Sequence, residues 1–216
     1  MKYLLNIALL ASACALPQSA VAQDTTRYSE IRPEQLSPAQ KQFIDNAKAP
    51  PRNANVNTGP YQVYLRSPEF GLRAVAMSDY LRWGTSLEPR LIEFTILIAA
   101  RQWSSSYIWR AHYPPAIKGG LDPRIPAAMA AGQRPQGMKA DEAIIYDLLT
   151  QIYRDKSVSD ATFNAAVARY GEKGVTDIIG LASYYGITAM ALITAKAPTA
   201  PGDEPKLQAM AQVFPK

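Results

Sequence analysis

Two residues, Glu93 and His112, have the types and the sequence context that acid–base chemistry requires. Glu93 lies inside the strongly apolar run Leu91–Ala100, which predicts a buried helix. Burying a carboxylate is costly unless it is paired, hydrogen-bonded or neutralised by a raised pKa. A carboxyl group whose pKa is raised can exchange protons with a neighbouring imidazole near neutral pH. The two side chains are therefore a candidate proton-transfer pair.

A structural role for the same two residues is the alternative. A lone histidine on a helix is more often structural than catalytic, and a buried glutamate often only pairs with an arginine. Arg90, Arg101 and Arg110 are all candidates for that pairing. From the spacing alone, both interpretations stay open.

The spacing of Ser105, Ile108 and His112 places these three residues on one helix face, because they are three and then four positions apart. Glu93 belongs to the preceding helix. A short connection makes consecutive helices antiparallel neighbours, and this arrangement would bring Glu93 toward His112.

The elements that must position this pair are all predicted to be helical, since no segment alternates as a strand does. Ser37-Pro38, Ser67-Pro68 and Glu88-Pro89 have the pattern of helix starts. The predicted helices cover about 37–48, 67–83, 86–103, 107–118, 122–132, 141–154, 159–171 and 175–196. Pro114 and Pro115 predict a kink or an early end of the fourth helix just after His112.

The last predicted helix is long and apolar enough to resemble a membrane span. Asp177, Ser183 and Thr188, together with two glycines, favour a core or subunit-interface helix instead. We expect a homo-oligomer, from dimer to hexamer, that uses the third or the last helix as contact surface.

The amino terminus has the pattern of a signal peptide covering residues 1–22, with cleavage before Gln23. The alternative, a lipoprotein acylated at Cys14, lacks the leucine expected three positions earlier. Cleavage predicts a periplasmic or secreted protein without membrane insertion, and it removes Cys14, the single cysteine of the chain. An extension (23–60), a helical domain (61–197) and a proline-rich tail (198–216) follow.

Composition excludes several kinds of site. The mature chain has no thiol and one histidine, His112, so disulfide, thiolate and His-rich metal sites are excluded, and we expect no metal and no cofactor. Dinucleotide, phosphate-loop and hydrolase motifs are absent. Cleavage removes Lys2 and so lowers the formal net charge from +5 to +4. The basic residues are scattered and form no stripe that would indicate a nucleic-acid-binding surface.

Four short motifs resemble the carboxymuconolactone decarboxylase family, which belongs to the alkylhydroperoxidase D (AhpD) superfamily. They are Arg90-Leu-Ile-Glu93, Arg101-Gln-Trp103, Tyr107-Ile-Trp109-Arg-Ala-His112 and Lys118-Gly-Gly-Leu121. The resemblance implies an all-α, AhpD-like bundle that forms homo-oligomers, with a site near a subunit boundary.

The peroxidase branch of that superfamily uses two cysteines, and these positions are Ser105 and Ile108 here. Serine cannot form a sulfenic acid and isoleucine cannot resolve one, so thiol peroxidase chemistry is excluded. The thiol-free branch decarboxylates a lactone acid. The resemblance thus implies a cofactor-independent lyase or isomerase for a small oxygenated compound, in which Glu93 orients His112 and His112 transfers the proton.

The remaining candidate residues would bind the substrate. Tyr107 and Trp109 would line its pocket together with Ser105, and Arg90 or Arg101 would hold an anionic group. A binding protein without catalysis and a quinone-handling oxidoreductase are the alternatives, although no cofactor motif supports the second. An enzyme should show Glu93 and His112 within hydrogen-bond reach, opening on a cavity.

Overall fold

The computed structural model describes residues 27–29 and 31–210, and this part of the chain is helical without a β-strand. The predicted signal peptide lies outside the described residues. The α-helices are α1 (Pro38–Lys48), α2 (Tyr61–Tyr64), α3 (Pro68–Asp79), α4 (Pro89–Gln102), α5 (Ser106–Lys118), α6 (Arg124–Ala130), α7 (Ala140–Asp155) and α8 (Asp160–Ala195). The all-α prediction is confirmed.

Helix α4 is the centre of the bundle, and it packs mainly against α5, α8 and α7. Every residue from Arg90 to Ala100 is buried, so the helix is covered on all sides within one chain. Pro89 occupies its first turn, where a missing backbone donor costs nothing. The apolar run of the sequence therefore forms a core helix. Helix α4 has no exposed face that a partner subunit could contact.

Helix α3 ends in a π-helical turn, Tyr80–Gly84, directly before α4. Such turns add one residue to the helical repeat and rotate the side chains that follow. Arg82 belongs to this turn and reaches Glu93 on α4. The chain then leaves the helix at Thr85 in an extended conformation, as Trp83-Gly84-Thr85 predicts.

Helix α5 runs antiparallel to α4 after a tight connection. Ser104 takes a left-handed conformation (φ 48°), and the Ser105 hydroxyl caps α5 by accepting from the backbone of Ile108. The helix does not end early after His112, because α5 continues through Pro114 and Pro115 to Lys118. Packing against α4, with Ala116 fully buried, holds the helix together despite two lost backbone hydrogen bonds.

Helix α8 is the long apolar helix, interrupted at Gly171 by a positive φ of 69°. The stop predicted at Gly171 therefore appears as a sharp break, after which the helix resumes. By length and composition α8 could cross a membrane, but 61% of its most apolar window is buried inside the protein. The observed packing is that of a core helix.

Residues 198–210 form an extended arm without regular secondary structure. Its backbone accepts hydrogen bonds from the indole of Trp109 at Pro205 and from Arg101 at Gln208. The Gln208 amide in turn donates to the carbonyl of Ala130. Three anchors thus hold the arm along α5 and against the end of α6.

Candidate active site

Glu93 of α4 and His112 of α5 form a direct hydrogen bond. The distance from His112 Nδ1 to Glu93 Oε2 is 2.6 Å. About a tenth of each side chain is exposed, so the pair lies at the edge of the core and one side of it reaches solvent. Two antiparallel helices joined by a tight turn therefore bring together the two residues that the sequence singled out.

Arg82 holds the other carboxylate oxygen of Glu93, with its Nη2 atom 3.4 Å from Oε1. Its guanidinium stacks over the Trp83 ring at 4.6 Å. Burial raises the pKa of Glu93, but the hydrogen bond from His112 and the charge of Arg82 outweigh burial and lower it. A raised pKa, one of the three ways in which the buried carboxylate could be accommodated, is not the one found here, because Glu93 pairs with His112 and Arg82 instead. Glu93 is a stable carboxylate at neutral pH.

The ring of Tyr185 covers one edge of His112. The two rings meet edge to face, with their centroids 4.9 Å apart, and Tyr184 packs on Tyr185 in the same way. Burial raises the pKa of the Tyr185 hydroxyl, so Tyr185 stays neutral at any physiological pH. Imidazole, carboxylate and phenol therefore sit together on α5, α4 and α8.

The second ring nitrogen of His112, Nε2, has no hydrogen-bond partner within residues 31–210. A carboxylate that accepts from Nδ1–H fixes the tautomer in which Nε2 carries the lone pair. The geometry thus suits a general base whose free nitrogen can take a proton and return it.

Ser105 and Ile108, which the family resemblance places at the cysteine positions of the peroxidase branch, lie in the packed interior. Ser105 is 6% exposed and its hydroxyl serves as the cap of α5. Ile108 is 2% exposed in the core. Neither side chain is available to a substrate in this structure, so the expected role of Ser105 in binding does not fit its position.

The two aromatic candidates on α5 lie away from the pair. Trp109 is 1% exposed, packs in the core and donates its indole N–H to Pro205, 2.8 Å away. Tyr107 is partly exposed, and its hydroxyl abuts Gly59, where an added Cβ would lie 2.4 Å from it. Gly59 has a positive φ of 63°, which glycine adopts readily. Trp109 lines neither of the two cavities described below, since the arm and the core enclose it, and its role in a pocket stays a prediction.

Neither predicted anion-binding arginine contacts the pair. Arg90 is buried and paired with Glu142 and with Asp141, whose Oδ2 is 2.7 Å from Nη2. Arg101 donates to the Gln208 carbonyl of the arm at 2.7 Å. The expected anion-binding role does not fit Arg90, because its guanidinium is already neutralised by partners 50 residues later in the chain. Arg101 anchors the arm.

Neither of two cavities formed by the described residues includes Glu93 or His112 in its lining. The larger, about 1260 Å³, lies between the outer face of α5, the loop before α2 and the arm. The smaller, about 220 Å³, lies between α7 and α8 beside Trp103. Neither of these two cavities is the one expected at the pair. Among the described residues, no three His, Cys, Asp or Glu side chains cluster as a metal site would require.

Sequence reasoning missed Arg82 and Tyr185. Arg82 directly precedes Trp83-Gly84, which indicated only the end of a helix, and its contact with Glu93 depends on the π-helical turn. Tyr185 lies one turn after Leu181 in the apolar run of α8 and could not be told from other core aromatics. A signal for Arg82 did exist, since a buried glutamate needs a cation and Arg82 is the nearest one before α4.

Comparison with known proteins shows the fold and no more. No family model and no curated protein matches the chain. A crystal structure of a protein of unknown function from Agrobacterium tumefaciens, with a proposed role as the antioxidant defence protein AhpD, superposes with a TM-score of 0.58 at 14% identity. The match covers 67% of this chain and 100% of that one. The chain therefore has an all-α, AhpD-like fold.

Proposed function

We propose that this protein is an exported, cofactor-independent lyase or isomerase of the carboxymuconolactone decarboxylase type. Its substrate would be a small oxygenated compound, a lactone or an aromatic derivative. The observation that carries the proposal is the 2.6 Å contact of His112 Nδ1 with a carboxylate that Arg82 also holds. This arrangement leaves Nε2 as the single proton-transfer atom of the site.

The chemistry begins with a substrate that carries a carboxylate or an acidic hydrogen on the carbon next to a carbonyl. In decarboxylation the C–C bond breaks, carbon dioxide leaves, and the electron pair moves onto the carbonyl as an enolate. Protonated His112 then delivers its Nε2 proton to carbon. In isomerisation Nε2 removes the proton from one carbon and returns it to another. In both reactions Glu93 stabilises the imidazolium, and the process needs no oxidant.

Arg82 supports an anionic substrate better than the arginines expected from the sequence. Its Nε atom is buried without a hydrogen-bond partner in the described structure, and its one ion pair is long. A partly exposed guanidinium on the same carboxylate that holds His112 is suited to a substrate carboxylate or an enolate oxygen.

A non-catalytic, small-molecule-binding protein is the second candidate. The absence of Glu93 and His112 from both cavities of the described chain favours it. In that case Glu93, Arg82 and His112 would only neutralise one another at the edge of the core.

A proton-exchange assay separates the two candidates without knowledge of the substrate. A panel of small lactone acids and enolisable ketones is incubated with the protein in D₂O, and carbon-bound deuterium is followed by NMR. We expect incorporation with at least one compound, and loss of most of it in His112→Gln. Glu142→Gln, which alters a buried carboxylate paired with Arg90, is the matched control and should keep the turnover of the folded protein. Equal exchange in wild type and His112→Gln would refute the catalytic proposal.

A further inference from the structure

The large cavity on α5 is separate from the Glu93–His112 pair. Its lining on this helix includes Tyr107, Ala111 and Pro114, which follow each other at helical spacing. His112 lies one residue after Ala111, about 100° further around the helix, and turns toward α4 and Tyr185. The cavity and the pair therefore occupy different faces of the same helix.

The arm closes one side of this cavity and is fixed just beyond it. Residues 197–204 line the cavity, and the next residue, Pro205, accepts from Trp109. Glu204 also lies 3.4 Å from Arg110 of α5. The arm is held on α5 at Glu204 and Pro205, and its other end is joined to α8. It therefore crosses the cavity between these two helices as a strap.

The surface of the walls is largely apolar, and its uncharged polar side chains are Asn57, Thr58 and Gln62 at and before α2 and Thr199 on the arm. The lining residues with large apolar surface are Tyr107, Ala111, Tyr113, Pro114 and Ile117 on α5, Ala197 before the arm, and Pro198, Ala200 and Pro201 on the arm. The prolines have no backbone N–H to donate. Water held between such surfaces is displaced favourably by apolar groups.

The charges at the rim cancel. Arg110 pairs with Glu204, while Lys118 and Asp203 contribute one charge of each sign. The cavity thus has no net charge that would attract an anion or a cation. Its volume of about 1260 Å³ exceeds the roughly 300–1,000 Å³ of common small-molecule sites.

From these observations we infer that the cavity is a binding site for an uncharged, elongated, largely apolar molecule, held between α5 and the arm. The space between the arm and α5 is too narrow for a folded protein partner, whereas a small molecule could enter it. This inference goes beyond the acid–base proposal and does not depend on it.

The test uses the neutral fluorescent probe N-phenyl-1-naphthylamine with the full mature chain, excited directly at the naphthylamine. We expect saturable binding of one probe per chain, with a Kd of about 10 µM or tighter. Ala111→Trp and Ala200→Trp place bulk on the helix wall and on the arm wall respectively, and each should weaken binding about tenfold or more. Both positions are exposed, so the fold should tolerate them.

Ala165→Trp is the matched control, since Ala165 is exposed on α8 and lines neither cavity. It should bind the probe as the wild type does. His112→Gln should also bind normally, so loss of catalysis and loss of this site are distinguishable. The inference would be overturned if the wild type showed no saturable binding of the probe. It would also be overturned if both cavity-filling variants bound the probe as tightly as the wild type does. If the sulfonated analogue 8-anilinonaphthalene-1-sulfonate bound more tightly than the neutral probe, the inference that the ligand is uncharged would be overturned.

Discussion

His112 Nδ1 lies 2.6 Å from Glu93 Oε2, although the two residues are 19 positions apart and sit on different helices. The contact requires the antiparallel pairing of α4 and α5, and it orients the imidazole so that Nε2 faces away from the carboxylate. Because Arg82 holds the second oxygen, the carboxylate cannot rotate freely. A positioned imidazole of this kind is a common element of acid–base sites.

If the pair transfers protons as one unit, His112→Gln and Glu93→Gln should each lower turnover about 10²–10⁴-fold. The double variant should be little slower than the slower single variant, because residues acting together are not additive. A purely structural pair would instead leave turnover unchanged while each single variant loses about 1–3 kcal/mol of stability, since one partner is left unsatisfied. Urea unfolding and turnover measured on the same three proteins distinguish these patterns.

Arg90 should behave as a structural residue. Its guanidinium neutralises Glu142 and Asp141, so Arg90→Met leaves the buried Glu142 without a cation and leaves Asp141 with Arg169 alone, 3.8 Å away. We expect a loss of about 3–5 kcal/mol in the free energy of unfolding. The KM of the remaining folded protein should be unchanged at low temperature. A raised KM with normal stability would instead support the substrate-binding role suggested by the sequence.

The sequence predicted well what depends on local signals. Ser37-Pro38 and Glu88-Pro89 begin α1 and α4, and the apolar run around Glu93 is buried, because caps and periodicity act over a few residues. Partners that lie far apart in the chain escaped prediction. Arg90 finds Asp141 on α7, and this pairing depends on how the helices pack.

The contacts of the arm could not be predicted from local sequence signals either. Its composition predicted a proline-rich tail after the helical domain, but nothing local indicated that Trp109 would donate its indole N–H to Pro205 and so be enclosed. Arg82 reaches Glu93 only because a π-helical turn adds one residue to α3. The observed site therefore differs from the expected one because of an irregular turn and of contacts between segments far apart in the chain.

The homo-oligomer remains a prediction, and the structure restricts its contact surface. Helix α4 is covered within the chain, whereas α8 exposes Ile179, Met190 and Ile193, between about two fifths and half of each side chain. We expect α8 to form the contact. Met190→Glu should shift the protein to monomer in light scattering at tens of micromolar, while Ala165→Glu on the same helix should not. A wild-type monomer under these conditions would contradict the prediction.

The stability of the protein should depend on pH through Glu93. Burial raises its pKa, but His112 and Arg82 together bring it below the ordinary value of 4.5. The folded state therefore binds this proton less readily than the unfolded state does. The resulting stabilisation is present above about pH 4.5 and is lost as the pH falls through the lower, folded pKa.

Glu93→Gln removes this titration while nearly preserving the shape of the side chain. The unfolding free energy of the wild type should exceed that of Glu93→Gln by more at pH 6 than at pH 3.5, as urea titrations at the two pH values would show. The sign follows from the lowered pKa, since a raised one would give the wild type its advantage at the acid end. A difference that grows toward pH 3.5 would mean that burial, and not Arg82 with His112, controls Glu93.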